Sequence, residues 1–252
     1  MLKLKKTVFL FSAILMVLAF SAMTAALRSQ NQDGSSQQGR RAKLDETEWP
    51  IADYSAPEPA NLQQRLKRQA RGKKYDESRV LGASAVAGAA VKSESAVLIL
   101  PPLPVVEANV IVIGKVTAAQ AYLSNDKTNV YSEFTVHADE VLKNDSGEFL
   151  ASGSSLETER EGGRVRLPSG QIFWYAIERE RMPRIGRRYV FFLKRNNPEQ
   201  DFHLLTGYEL RDAKVFPLDS HPKFDIHNET DETAFLGKLR AAIINPPPAL
   251  PQ

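Results

Sequence analysis

The stretch Asn109-Val-Ile-Val-Ile-Gly-Lys-Val-Thr117 decides the fold. Six of its nine residues are β-branched. Such side chains lose rotamers in a helix and pack well on a pleated surface. At the two-residue period of a strand, Val110, Val112, Gly114 and Val116 share one face. Ser124-Asn-Asp-Lys127 follows as a hairpin turn, and Val130–Leu142 reads as the returning strand. In it Val130, Phe134, Val136 and Ala138 alternate with Tyr131, Glu133, Thr135, His137 and Asp139. Further out, Asn144-Asp-Ser-Gly147, Gly162-Gly163 and Pro168-Ser-Gly170 punctuate three more strands, over 155–160, 164–167 and 171–177. Arg187-Arg-Tyr-Val-Phe-Phe-Leu-Lys194, after the loop at Met182–Gly186, is apolar on both faces and therefore central. Phe202–Tyr208 and Lys214–Leu218 complete about eight strands. Asp231–Ile243 is the one convincing helix. Thr230 can cap it, Asp231 and Glu232 suit its positive end, and Phe235, Leu236, Leu239 and Ile243 form a buried stripe. Pro246-Pro-Pro248 stops it. Without a βαβ rhythm, the pattern predicts a mainly β fold: an antiparallel barrel or sandwich with one C-terminal helix.

Upstream of Val97 this rhythm vanishes. Lys3, Lys5 and Lys6 precede an unbroken apolar run, Val8–Phe20, which ends in Ser21-Ala-Met-Thr-Ala-Ala26. Positive, apolar and small, in that order, is the pattern of a secretory signal (residues 1–26), with cleavage expected after Ala26. The alternative is an uncleaved anchor over residues 7–27, 21 uncharged residues that suffice to span a bilayer. Either way the chain is expected to be exported, periplasmic or extracellular. Residues 27–96 read as a disordered polar linker, 97–245 as the β domain and 246–252 as a Pro-rich tail. Within the linker, Leu62–Lys74 packs six basic residues into ten positions without an acid, and Leu62, Leu66 and Ala70 recur every four residues. That is either a basic helix lying on a membrane surface or other polyanion, or a solvated charge run of weak helicity. The thin stripe, ended by Gly72, favours the second.

Ala108–Val116, Tyr131-Ser-Glu-Phe-Thr-Val136 with Asp139-Glu-Val-Leu-Lys143, and Pro183-Arg-Ile-Gly-Arg-Arg-Tyr-Val-Phe-Phe-Leu193 resemble exported bacterial β-domains of uncharacterised function. Their order is also similar to the netrin-like, OB-type barrel of metalloproteinase inhibitors. The resemblance covers roughly residues 105–220 and implies an OB/netrin-like barrel. Those inhibitors reach the protease zinc through an N-terminal Cys and rely on disulfides. This chain has no Cys, so that mechanism does not carry over.

The absence of Cys also excludes thiol nucleophiles, thiolate metal sites and disulfides. No nucleophile elbow, Walker loop, dinucleotide fingerprint or H-E-x-x-H occurs, so no catalytic residue and no cofactor is predicted. Asp219, His221, Asp225 and His227 could be arranged around a metal, which would make a metal-dependent hydrolase. Their spacing fits no familiar ligand set, and a solvated acidic loop is the better reading. Glu157, Glu159 and Glu161 alternate along one strand and are expected to face water. His137 is expected on an exposed face and His203 in a structural position.

The 33 basic and 30 acidic residues sum to +3. Three of the basic ones lie in the signal, which leaves 30 against 30. Within that balance the segment Arg160–Arg195 holds ten basic residues and three acidic ones, and Glu199–Glu232 holds nine acidic and three basic. Arg164, Arg166, Trp174, Arg187 and Arg188 are the candidate ligand-binding residues of the basic segment, as an OB-type groove for an anionic glycan or nucleic acid. The leading expectation is a non-enzymatic module making contacts with an envelope protein or an anionic surface. The anionic-polymer module and the hydrolase are the alternatives.

Overall fold

The computed structural model describes residues 48–76, 84–86, 89–92, 99–196 and 201–248. The expected signal segment and the last residues of the tail lie outside them. The chain divides at Trp49, and the unit Trp49–Gln252 contains every element named below. In order these are β1 (Ile51–Asp53), α1 (Leu62–Lys74), β2 (Ser84–Val86), β3 (Ala89–Lys92), β4 (Val110–Leu123), β5 (Val130–Asn144) and β6 (Ser155–Glu161). Then come β7 (Gly163–Arg166), β8 (Ile172–Ile177), β9 (Arg188–Asn196), β10 (Asp201–Arg211), β11 (Lys214–Pro217), β12 (Thr230–Asp231) and α2 (Glu232–Ile244). Neither described helix is long and apolar enough to cross a membrane.

The fold is mainly β, with one C-terminal helix, as the strand rhythm predicts. Five strands pair in the cyclic order β4–β5–β6–β10–β9 and back to β4. Every pairing in this ring is antiparallel except β6–β10, which is parallel and only two residue pairs long: Phe202 with Thr158 and His203 with Glu159. The ring is thus barrel-like, its seam resting on that two-pair contact. β11 and β12 extend one edge, and a second sheet runs β1-β7-β8-β3-β2.

Alternation along the strands sorts the core into layers. Val110, Val112 and Val116 join Phe134, Val136, Phe191, Leu193 and Leu204 inside the ring. Ile111 and Ile113, on the opposite face of β4, pack with Val190, Phe192 and Tyr208 beneath Phe235, Leu236 and Leu239 of α2. β4 and β9 are therefore apolar on both faces, each buried Phe or Leu contributing about 1.5–3 kcal/mol. The predicted start of α2 moves by one residue: Asp231, not Thr230, caps it, accepting from the Ala234 N–H. A third cluster, Ala52, Ala121, Val130, Val165, Tyr175 and Ile177, joins the second sheet to the barrel.

The expected linker boundary does not hold. Residues 49–76 belong to the folded unit: Trp49, Ala52 and Tyr75 are buried, β1 pairs with β7, and further along the backbone of β3 pairs with β2 on one side and β8 on the other. The anchors are isolated apolar residues within polar chain, too sparse to show a period. The remainder of 27–96 lies outside the described residues.

Candidate binding groove

α1 begins at Asn61, whose side chain accepts from the Gln64 N–H. It is helical as the four-residue spacing allows, but its charges divide between two sides. Arg71, Lys67 and Lys74 reach strand carboxylates, while Arg65, Arg68 and Lys73 line an open groove on the other side. Arg71 is 3% exposed and reaches carboxylates on three strands. It pairs with Glu133 of β5 at 2.7 Å, with Glu157 of β6 at 2.9 Å, and in bidentate fashion with Asp201 of β10. Lys67 donates to Glu157 at 2.8 Å and Lys74 to Glu159 at 3.1 Å. Glu157 and Asp201 flank the two-pair seam of the barrel, so Arg71 staples it.

This seat explains why the row of glutamates fails to face water as expected. Glu159 is 1% exposed, and only Glu157 stays half-exposed. The expectation treated β6 as an outer strand, whereas a helix covers it. Burial pushes the Glu133 and Glu159 carboxyls above their usual range, against the pull of Arg71 and Lys74. The Lys67 contact holds Glu157 below it. Burial alone would make Arg71 less basic, but Asp201, Glu133 and Glu157 more than reverse this. Polar contacts fix the end of the helix: Asn125 donates to the Gln69 carbonyl at 2.9 Å and Asn129 to that of Tyr75 at 2.6 Å. Gly72 gives this approach its room: a Cβ there would stand 2.5 Å from Asn125 Oδ1 and push that amide aside.

With Arg71 seated against the barrel, α1 turns the predicted apolar stripe outward. Leu62 and Leu66 are 56% and 55% exposed. Leu66 borders a groove of about 990 Å³ formed by α1, the Ile51–Pro59 segment and the end of β4 with its turn. Five cationic side chains line it, Arg65, Arg68, Lys73, Lys127 and Arg166, against the two carboxylates Asp53 and Glu58. Both acids have local partners. Asp53 accepts from the Ser55 N–H at 2.8 Å, and Glu58 lies 4.0 Å from Arg65. The aromatic faces are occupied too: Arg68 sits 4.3 Å over the Tyr122 ring and Lys127 4.6 Å over Tyr54. Gln120 closes the β1–β4 edge by donating to the carbonyls of Ile51 and Ala121.

The predicted ligand-binding residues separate. Arg166, exposed at the end of β7, lines the groove. Arg164 and Trp174 are register partners across β7 and β8, with the guanidinium 5.3 Å over the indole. Arg164 also donates to the Trp49 carbonyl, and burial together with neighbouring Arg166 lowers its basicity. Arg188 opens β9 and Arg187 precedes it, and both find acids nearby. Arg188 pairs with Asp139 at 3.2 Å and Glu232 at 2.8 Å, and Arg187 lies 3.8 Å from Glu209. Arg160, at the head of the basic segment, is fully buried between Glu180 and Asp219. That segment spreads over strands of both sheets, because β6 to β9 cross between them. Gly163, at φ +148°, makes the first crossing.

The Asp219–His227 loop is also not the solvated acidic loop expected. Asp219 is buried on Arg160 and Thr206, and His227 packs edge-on against Tyr208 and Phe235. Their environments differ too much for a shared metal, and among the described residues no group of His and carboxylates is arranged to hold one. His137 is exposed, as predicted, and His203, expected in a structural position, is partly buried. The groove itself went unread because its cations come from three distant segments, 65–73, 127 and 166. The readable signal was the match between an acid-free basic helix and a strand of alternating glutamates. In comparisons with known proteins, the chain matches no family model and no curated sequence.

Proposed function

We propose that this domain is a non-catalytic interaction module, acting outside the cytoplasm, that binds an anionic macromolecule in the groove between α1 and the end of β4. The observation that carries the reading is the excess of five cations over two carboxylates in a groove of about 990 Å³. Among the described residues, the buried arginines Arg71 and Arg160 are both spent on internal carboxylates. The N-terminal order of lysines, apolar run and small residues supports export. The Arg160–Arg195 segment, first considered for this role, contributes Arg166 alone to the groove.

Retention on immobilised polyanions tests the reading. The protein is expected to bind poly-L-glutamate or heparin at low ionic strength and to elute with modest salt, since exposed charges are screened over about 10 Å at 0.1 M. Charge reversal at Lys73 and Arg166 should abolish retention, whereas reversal at Arg187 should leave it. No retention on any polyanion, or retention lost only through Arg187, would overturn the assignment.

A further inference from the structure

We infer that the occupant of the groove is an acidic polypeptide segment carrying apolar side chains, in preference to a nucleic acid or a glycan. This rests on the proposed function and narrows it.

A single strand of bases takes much of its affinity from stacking on exposed aromatic faces. Each groove aromatic already carries a cation over one face, Arg68 over Tyr122 and Lys127 over Tyr54, which leaves little ring surface for stacking. What remains open is a row of guanidinium and ammonium heads beside aliphatic surface. Arg65, Lys73 and Arg166 stand with Leu66, Ile51, Leu123, Pro57 and Pro59 in one lining. Guanidinium forks suit carboxylates in two-point contact. Leu66, more than half exposed on a helix fixed from its other side, supplies an apolar contact that a polyphosphate or sulfated sugar cannot use. Alternating charge and grease is the chemistry of an acidic–apolar peptide. Because Gln120 already satisfies the carbonyls of Ile51 and Ala121, recognition falls on side chains and not on strand addition.

The test uses the full chain and four probes: a short synthetic peptide of mixed Glu and Leu, the same peptide with Lys for Glu, poly-L-glutamate, and oligo-thymidylate. The Glu/Leu peptide should bind at least about tenfold more tightly than oligo-thymidylate of equal charge, and the Lys/Leu peptide not at all. Leu66→Ser, at an exposed position, should weaken the Glu/Leu peptide severalfold more than it weakens poly-L-glutamate. Tighter binding of oligo-thymidylate, or indifference of the Glu/Leu peptide to Leu66→Ser, overturns the peptide inference while the anion-binding reading stands. Failure of every anionic probe at low salt overturns both.

Discussion

Arg71 meets carboxylates from β5, β6 and β10, so removing it does more than delete a charge on a helix. Arg71→Met leaves Glu133 and Asp201 without their main partner in a site already closed to water. Breaking a buried pair from one side costs about 3–5 kcal/mol, and urea denaturation should show a loss of that size. Lys67→Met is the control. Lys67 and Glu157 are each 50% exposed, and such pairs contribute no more than about 1 kcal/mol. Gly163 offers a second residue-scale test. At φ +148°, with Ser132 Oγ and Val130 Cγ1 both 2.9 Å from any added Cβ, it admits no side chain. Gly163→Ala should destabilise by about 1–3 kcal/mol, through strain and overpacking together.

At the scale of elements, α1 inverts the usual rule for a surface helix, which buries its apolar stripe. Leu62, Leu66 and Ala70 do share a face, as their spacing requires, but that face looks outward, and an arginine occupies the position a leucine would normally take. Replacing Leu62 and Leu66 together by Ser should therefore change thermal stability by no more than about 1 kcal/mol, about 0.5 kcal/mol for each surface site. A buried leucine pair would lose several times that. A calorimetric loss of several kcal/mol would show the stripe to be packed. The same inversion explains what the sequence conceals. β4, β5 and β9 declare themselves through β-branched runs and strict alternation, which backbone geometry translates directly into faces. The docking of α1 depends on charge pairs between residues far apart in the chain, and a composition window reads those as solvated polar sequence. Trp49, Ala52 and Tyr75 were hidden for a related reason: one buried side chain per segment makes an anchor but no periodicity.

For the whole molecule, pH is the informative variable. Burial, with Arg160, Lys74 and Lys194 nearby, pushes His203 down to about 4 from its usual 6.5. Between those values the unfolded chain takes up a proton that the folded chain refuses, so stability falls as pH drops from 6.5 toward 4. The full effect is on the order of 3 kcal/mol. His227, lowered by burial, acts in the same direction. The buried carboxyls of Glu133, Glu159 and Asp219, raised by burial, act oppositely, since the folded chain protonates them first. Comparing the wild type with His203→Gln by urea unfolding at pH 7.5 and pH 5 isolates the histidine, and the variant should show the flatter dependence. Equal slopes would place the proton uptake elsewhere.

The stapled seam also constrains how the molecule is made. Arg71 and Asp201 lie 130 residues apart, and the two-pair β6–β10 contact they secure cannot be templated by a hairpin. A chain emerging from its N-terminus carries the helix long before its seat exists. Ring closure must then await the last long strand, which makes folding slow and dominated by non-local contacts. Until that moment, the acidic edge of β6 and the basic helix are both open to other chains.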